Sequence, residues 1–175
     1  MPVAPYTFSH STLTPLVHAD ILPTMSTGND TSPQQPGWNF CLPVEVRFRD
    51  VDMFGHVNNA AYLTYIESAR VAYYRHLTGL KDPREFDMTV ARAEVDFLKP
   101  AFYGQTLHVY TRAGRIGNKS WTLEHEMRDP ETGEVVARGS TVIVHFEHAT
   151  QESKPLPPEI VELIEGHEGR PLRGR

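Results

Sequence analysis

An antiparallel sheet wrapped around one long helix, an α+β fold, is what this sequence predicts. A single helical stretch of about twenty residues comes early, and the segments after it alternate with period two. Those later segments are joined mostly by short turns built on Gly, Asn, Asp and Pro.

The first strand is expected over Leu42 to Arg49, where Leu42, Val44, Val46 and Phe48 alternate with Pro43, Glu45, Arg47 and Arg49. A loop from Asp50 to Asn58 follows, carrying two carboxylates, a glycine, a histidine and an asparagine pair at its end. The helix starts near Asn58 or Asn59, since Asn is a favoured N-cap, and Gly79 suits its C-terminal end. Tyr62, Ile66, Ala69, Tyr73 and Leu77 recur at helical spacing and line one apolar face. Ala60, Ala61, Leu63, Val71 and Ala72 widen that surface, so a curved sheet is expected to bury most of the helix. After a loop at 81–87, strands are expected over Met88–Leu98, Thr106–Ile116, Ser120–Arg128 and Val135–Phe146. Pro100 and Gly104 end the first of these, Gly117-Asn118 makes a turn, and Asp129 to Gly133 makes a hairpin loop. Trp121, Leu123, His125 and Met127 fall on one side of their strand, and Thr122, Glu124 and Glu126 on the other. Pro158 to Glu165 reads as a short helix with Pro at its start.

The chain has 175 residues, 39% hydrophobic and 22% charged, which suits one globular core with a tail. No apolar run approaches the roughly 20 residues of a membrane span. A formal charge of −5, with no basic block beyond Arg170, Arg173 and Arg175, argues against nucleic acid as a partner. The single cysteine, Cys41, rules out an intrachain disulfide and fits a reducing, cytoplasmic setting. Residues 1–37 read as a disordered extension, because six of the fourteen prolines and ten Ser or Thr fall there without any sustained period. With no Lys or Arg before Arg47, neither a secretory signal nor an Arg-rich transit peptide is supported. The folded domain is expected over 38–166, with 167–175 frayed.

The run Arg49-Asp50-Val51-Asp52-Met53-Phe54-Gly55-His56-Val57-Asn58-Asn59, with Tyr62 and Glu67-Ser68-Ala69-Arg70 after it, resembles the hotdog-fold acyl-CoA thioesterases of the 4-hydroxybenzoyl-CoA thioesterase type. Asp96 to Pro100, Gly104, Gly117 to Ser120 and Ala137 to Thr141 resemble later parts of the same family, and the likeness covers about residues 42–160. The resemblance implies a hotdog fold, a homodimer or homotetramer with active sites between subunits, an acyl-CoA substrate, and no cofactor or metal. It aligns Asp52 with the family's catalytic carboxylate, as general base on water or as nucleophile. It aligns the Asn59 backbone N–H with the donor that polarises the thioester carbonyl, and a helix N-terminus is a sound site for an oxyanion. Lys119 and Ser120 align with the region that meets the CoA phosphates, where a lysine acts as a point charge.

The residues themselves leave several roles open. Asp52, ahead of a helix, also suits a turn or cap, and Asp50 reads as a hydrogen-bonding loop residue. His56, as a histidine, can shuttle a proton or order the loop; it stands where the benzoyl-type template has an apolar residue. Asn58 is expected to cap the helix and organise the loop, with substrate contact as a second role, while Tyr62 belongs to the core or a pocket wall. Glu67 and Arg70 are spaced for a helix salt bridge, structural or between subunits. His145 and His148 point to opposite faces of a strand, and no HExxH, paired CxxC, GxSxG or phosphate loop occurs. Two alternatives accompany the thioesterase reading: a hotdog hydratase or dehydratase using His56 with Glu67, and a non-catalytic acyl-CoA-binding module.

Overall fold

A computed structural model of the chain describes residues 35–82 and 85–174. Of the tail expected over 1–37, residues 1–34 lie outside the described residues; Gln35 and Trp38 close a small turn by a backbone bridge.

Strand β1 (Phe40–Glu45) leads through a 3₁₀ turn at Phe48–Asp50 and a loop into helix α1 (Asn59–Thr78). Strands β2 (Met88–Phe97), β3 (Thr106–Ile116), β4 (Ser120–Arg128) and β5 (Val135–Glu147) follow, then a two-residue β6 (Glu152–Ser153) and helix α2 (Pro158–Glu168). The sheet is antiparallel in the order β1-β3-β4-β5-β2, with β6 on β5. This is the expected hotdog arrangement. Among the described residues no helix is long and apolar enough to cross a membrane.

Helix α1 starts at Asn58, whose Oδ1 accepts the Ala60 N–H at 2.9 Å, and ends at Gly79. Its buried stripe is Tyr62, Tyr65, Ile66, Ala69, Tyr73 and Tyr74, wider than the apolar spacing alone gives, because sheet residues reach it from two sides. Leu77 is only half-buried, and Ala60 and Leu63 face solvent. The sheet therefore leaves a broad part of the helix open, where the apolar residues suggested that most of it would be buried. Beneath α1, Leu107, Val109 and Thr111 of β3 and Trp121, Leu123, His125 and Met127 of β4 are all buried.

At Gly139 of β5 the absence of a side chain lets Ile66 of the helix pack down onto the sheet. A Cβ there would stand 2.8 Å from Ile66 Cδ1 and 2.9 Å from the Glu94 carbonyl oxygen. His125 is tied on both sides: its Nδ1 lies 3.1 Å from Thr111 Oγ1 on β3, and its Nε2 lies 3.1 Å from Thr141 Oγ1 on β5. Burial, aided by the nearby Arg70 charge, pushes the imidazole down to about 3.

Three local expectations need correction. Strand β1 stops at Glu45 rather than Arg49, and Phe48 is 81% exposed. The Asp50 carboxylate accepts the Arg47 N–H at 3.0 Å and the Asp50 N–H bonds back to the Arg47 carbonyl at 2.9 Å, so local bonding replaces the ladder. Strand β2 forms where expected, but it is an edge strand with a bulge between Val90 and Arg92, and its burial does not alternate: Ala91 to Glu94 are exposed on both faces. The frayed end expected at 167–175 is instead anchored. Glu168 accepts the Tyr73 hydroxyl at 2.6 Å and the Ala113 N–H at 2.7 Å, where the β3–β4 register is irregular. Beyond it Leu172 is buried and its carbonyl accepts the Ile116 N–H at 3.1 Å.

Gly139→Ala should destabilise the fold by about 1–3 kcal/mol, the usual cost of overpacking, in urea unfolding. An unchanged midpoint would mean that α1 has slack above β5. His125 gives a pH signature. Its pKa is depressed in the folded state, so its contribution is complete above about 6.5 and is lost as pH falls toward about 3. Wild type should lose on the order of 2 kcal/mol more than His125→Gln between pH 6.5 and 5, at about 1.4 kcal/mol per unit. Parallel urea curves for the two proteins across that range would remove the effect.

Candidate active site

The loop between β1 and α1 is a miniature hairpin. The Asn58 N–H donates to the Asp50 carbonyl at 2.8 Å, Val51 and Val57 form a bridge, and the Asp52 N–H donates to the His56 carbonyl at 3.0 Å. At the tip the Phe54 N–H bonds Asp52 Oδ1 at 2.8 Å and the Gly55 N–H bonds the Asp52 carbonyl at 3.1 Å. Gly55 takes φ +83°, a conformation that suits glycine and lets the chain reverse. One leg thus carries Asp52 and the other His56, Asn58 and Asn59, and the Val57 N–H ties the second leg to the Ala101 carbonyl at 2.8 Å.

The two carboxylates have opposite surroundings. Asp50 is 7% exposed and its side chain accepts from Arg47 N–H, Arg47 Nε at 3.1 Å and Tyr65 O–H at 2.9 Å. Burial pushes this carboxyl up, and the Arg47 and Tyr65 donors outweigh burial, so it sits below the ordinary carboxylate value. Its acceptor capacity is occupied. Asp52 has one oxygen on the Phe54 N–H, while the other lies 3.7 Å from His56 Nδ1, too far for a hydrogen bond. The Phe54 ring stacks beside the imidazole, with ring centroids 6.1 Å apart.

A cleft of about 360 Å³ opens against this loop, lined by His56, Val57, Asn59 and Tyr62 with Phe97, Leu98, Lys99 and Pro100 from the end of β2. Tyr62 packs edge-on to Phe97 at 5.2 Å, and burial raises its hydroxyl pKa, so it stays protonated. The Asn59 N–H is the first of α1, and no acceptor for it occurs among the described residues. Asn58 is the cap, engaged by its side chain and backbone; Asp52 stands behind His56 and outside the cleft lining.

Lys119 and Ser120 are not brought to this cleft within one chain. Ser120 pairs with Val144 and Val144 with Thr89, whereas the cleft adjoins the row Phe97–Ala137–Met127. From Ala137 to Val144 is about 23 Å of strand at about 3.3 Å per residue. Lys119 Nζ donates to the Ser153 carbonyl at 2.9 Å and Ser153 Oγ at 3.2 Å, fastening β6. Glu67 is 66% exposed at its side chain and 3.5 Å from Arg70, far along α1 from the cleft. The Tyr65 anchor on Asp50 is a feature that residue patterns do not reveal, because Tyr65 looks like any other aromatic of a tyrosine-rich helix.

Comparison with known proteins agrees with this geometry. The family model for the thioesterase-like superfamily matches residues 46–164. A thioesterase from Thermus thermophilus, solved with coenzyme A and zinc, aligns with a TM-score of 0.70 and 39% identity, covering 79% of this chain and 100% of its own. The long-chain acyl-CoA thioesterase FadM of Escherichia coli is 26% identical over 130 residues, 70% of this chain and 94% of FadM. A 1,4-dihydroxy-2-naphthoyl-CoA hydrolase of Nostoc punctiforme is 28% identical over 125 residues, 69% of this chain and 82% of that enzyme. The chain belongs to the thioesterase-like superfamily and is a hotdog-fold thioesterase.

Proposed function

We propose that the protein hydrolyses an acyl-CoA thioester to the free acid and CoA, with Asp52 as general base or nucleophile and the Asn59 N–H as the carbonyl-polarising donor. The observation that carries this reading is the hairpin loop: one leg bears a carboxylate with an oxygen uncommitted to hydrogen bonding, and the other an unpaired helix N-terminal N–H at the mouth of an apolar cleft. A thioester carbonyl against Asn59 would build negative charge where the helix dipole is most favourable to it. Asp52 takes the proton of the attacking water, or attacks the carbonyl itself. His56, which lines the cleft and approaches Asp52, is suited to relay that proton. A thiolate leaves more readily than an alkoxide or an amide anion, because thiols are much stronger acids than alcohols or amines, so the reaction does not demand a strong acid opposite the base. The CoA-bound relative and the two acyl-CoA-hydrolysing relatives support CoA as the carrier. A cytoplasmic setting follows from the same substrate class.

The working unit in this proposal is a homodimer, alone or within a tetramer, joined along β2. That strand offers ten residues with one unpaired edge, and Leu63, Val90, Phe97 and Leu98 are exposed around it. Two β2 strands paired antiparallel about a two-fold axis would bring the Thr89 row of one subunit beside the Phe97 end of the other. At about 4.8 Å between strands, Lys119 and Ser120 of the partner subunit would then lie roughly 15 Å from the cleft, within reach of the phosphate end of an extended CoA arm. A hydratase pairing of His56 with Glu67 has less support, since Glu67 lies about 12 Å along the helix from Asn59 and faces solvent.

Thiol release from short, long and aromatic acyl-CoAs should fall by about 100-fold or more in Asp52→Asn, as expected for loss of a catalytic base. Equal rates in the two proteins would refute the role of Asp52. Mixing Asp52→Asn with Lys119→Ala subunits should restore activity above either variant alone, because one cleft of the mixed dimer then keeps both groups. Absence of such rescue in a verified mixed dimer would refute the shared site.

A further inference from the structure

We propose that Asp50 is the positioning residue of the catalytic loop: through Tyr65 it fixes the separation between the Asp52 carboxylate and the Asn59 N–H. This rests on the reading of Asp52 as the catalytic carboxylate.

The geometry that points to it is a convergence of three elements on one residue. The Asp50 side chain takes the Tyr65 hydroxyl at 2.9 Å, and Tyr65 lies in the second turn of α1, only 1% exposed. The same carboxylate takes the Arg47 backbone N–H at 3.0 Å and Arg47 Nε at 3.1 Å, which fixes the end of the chain arriving from β1. The Asp50 backbone carbonyl takes the Asn58 N–H at 2.8 Å, which closes the loop at its base. Asp52 lies two residues beyond this clamp on one side, and Asn59 one residue beyond it on the other. Helix and strand end are therefore referenced to the buried Asp50 carboxylate, and the two legs of the hairpin to each other through the backbone carbonyl of the same residue.

Apart from the Asn58 cap on Ala60, which holds only the junction of loop and helix, no other side-chain hydrogen bond joins the loop to α1 among the described residues. The loop's further ties are the Val51–Val57 bridge within the hairpin and the Val57 N–H to the Ala101 carbonyl. Neither sets how the Asp52 leg stands relative to the helix axis. The Tyr65–Asp50 bond does, because Tyr65 belongs rigidly to the helix whose first N–H is the proposed oxyanion donor. Burial and the neighbouring Asp50 charge raise the Tyr65 pKa, so its hydroxyl remains a donor throughout the working pH range. Charge-assisted bonds to buried carboxylates are among the stronger ones available to a protein. Displacing a catalytic group by about 1 Å can cost about 100-fold in rate, so a clamp of this kind governs turnover without touching substrate.

The test is a double-mutant cycle on Tyr65→Phe and Asp52→Asn, with Asp50→Asn as a second single variant. Tyr65→Phe keeps the buried ring and leaves Asp50 with the Arg47 donors, so the protein should fold, as thermal melting will check. We expect kcat to fall about 10- to 100-fold with KM within twofold, since the cleft walls are untouched. In the Asp52→Asn background the same change should cost nothing further, because it acts through Asp52. Asp50→Asn, which keeps shape and loses charge, should reproduce the fall in kcat. Wild-type kcat in Tyr65→Phe, or losses that multiply in the double variant, would overturn the positioning role while leaving Asp52 as the base. Wild-type kcat in Asp52→Asn would instead overturn the reading on which the proposal rests.

Discussion

The close seating of α1 on the sheet at Gly139 is the constraint on which the rest depends. With a hydrogen in place of a side chain, Ile66 comes down onto the β5 backbone, which sets the height of the helix over that strand. Everything at the helix N-terminus inherits that height. Tyr62 then meets Phe97, Tyr65 meets Asp50, and the first N–H groups emerge beside the end of β2. Interiors packed at crystal-like density pass a displacement on and do not absorb it. A packing contact within the helix is thus tied to the geometry of a loop about two turns away.

Around that helix the protein separates polar groups by what surrounds them. Asp50 and Asp52 differ by two positions in sequence, yet one is saturated with donors inside the protein and the other sits at a loop surface with an oxygen toward a histidine. The saturated one is suited to holding and the open one to reacting. The same division runs through the histidines. His125 is locked neutral between two threonines under the helix, whereas His56 lines the cleft. On the outer side of the sheet, Glu126 is shared by Arg128 and Arg138, and Glu124 pairs with Arg112, which satisfies charges on a face the helix does not cover.

Much of this architecture is legible in the residues. Helix α1 begins and ends at its expected caps, and β3 and β4 occupy the spans that alternation and turn residues assign. Their signals are local: a cap, a period, a glycine. The loop that gathers Asp52, His56, Asn58 and Asn59 is legible too, because several residue types coincide at fixed spacing. What escapes is long-range or competitive. The 3₁₀ turn at Phe48–Asp50 arises because an Asp side chain outcompetes a ladder that the alternation of Phe48 and Arg49 would have continued. The exposure of β2 follows from its place at the sheet edge, which no pattern within the strand encodes. The Asp50–Tyr65 bond joins residues fifteen apart that belong to different elements.

The anchored C-terminal segment bears on the order in which the protein acquires its shape. Glu168 reaches back 95 residues to Tyr73 and 55 to Ala113, and the Leu172 carbonyl takes the Ile116 N–H. Strand β3 therefore has amide groups that find partners only when residues around 168–172 have left the ribosome. Until then the nascent chain exposes an unfinished β3 and the core residues that Leu172 and Ile164 cover. Such non-local closure is slow, and the half-made sheet is open to association with other chains in the interval. Docking of the segment around 168–172 is the step that ends the exposure.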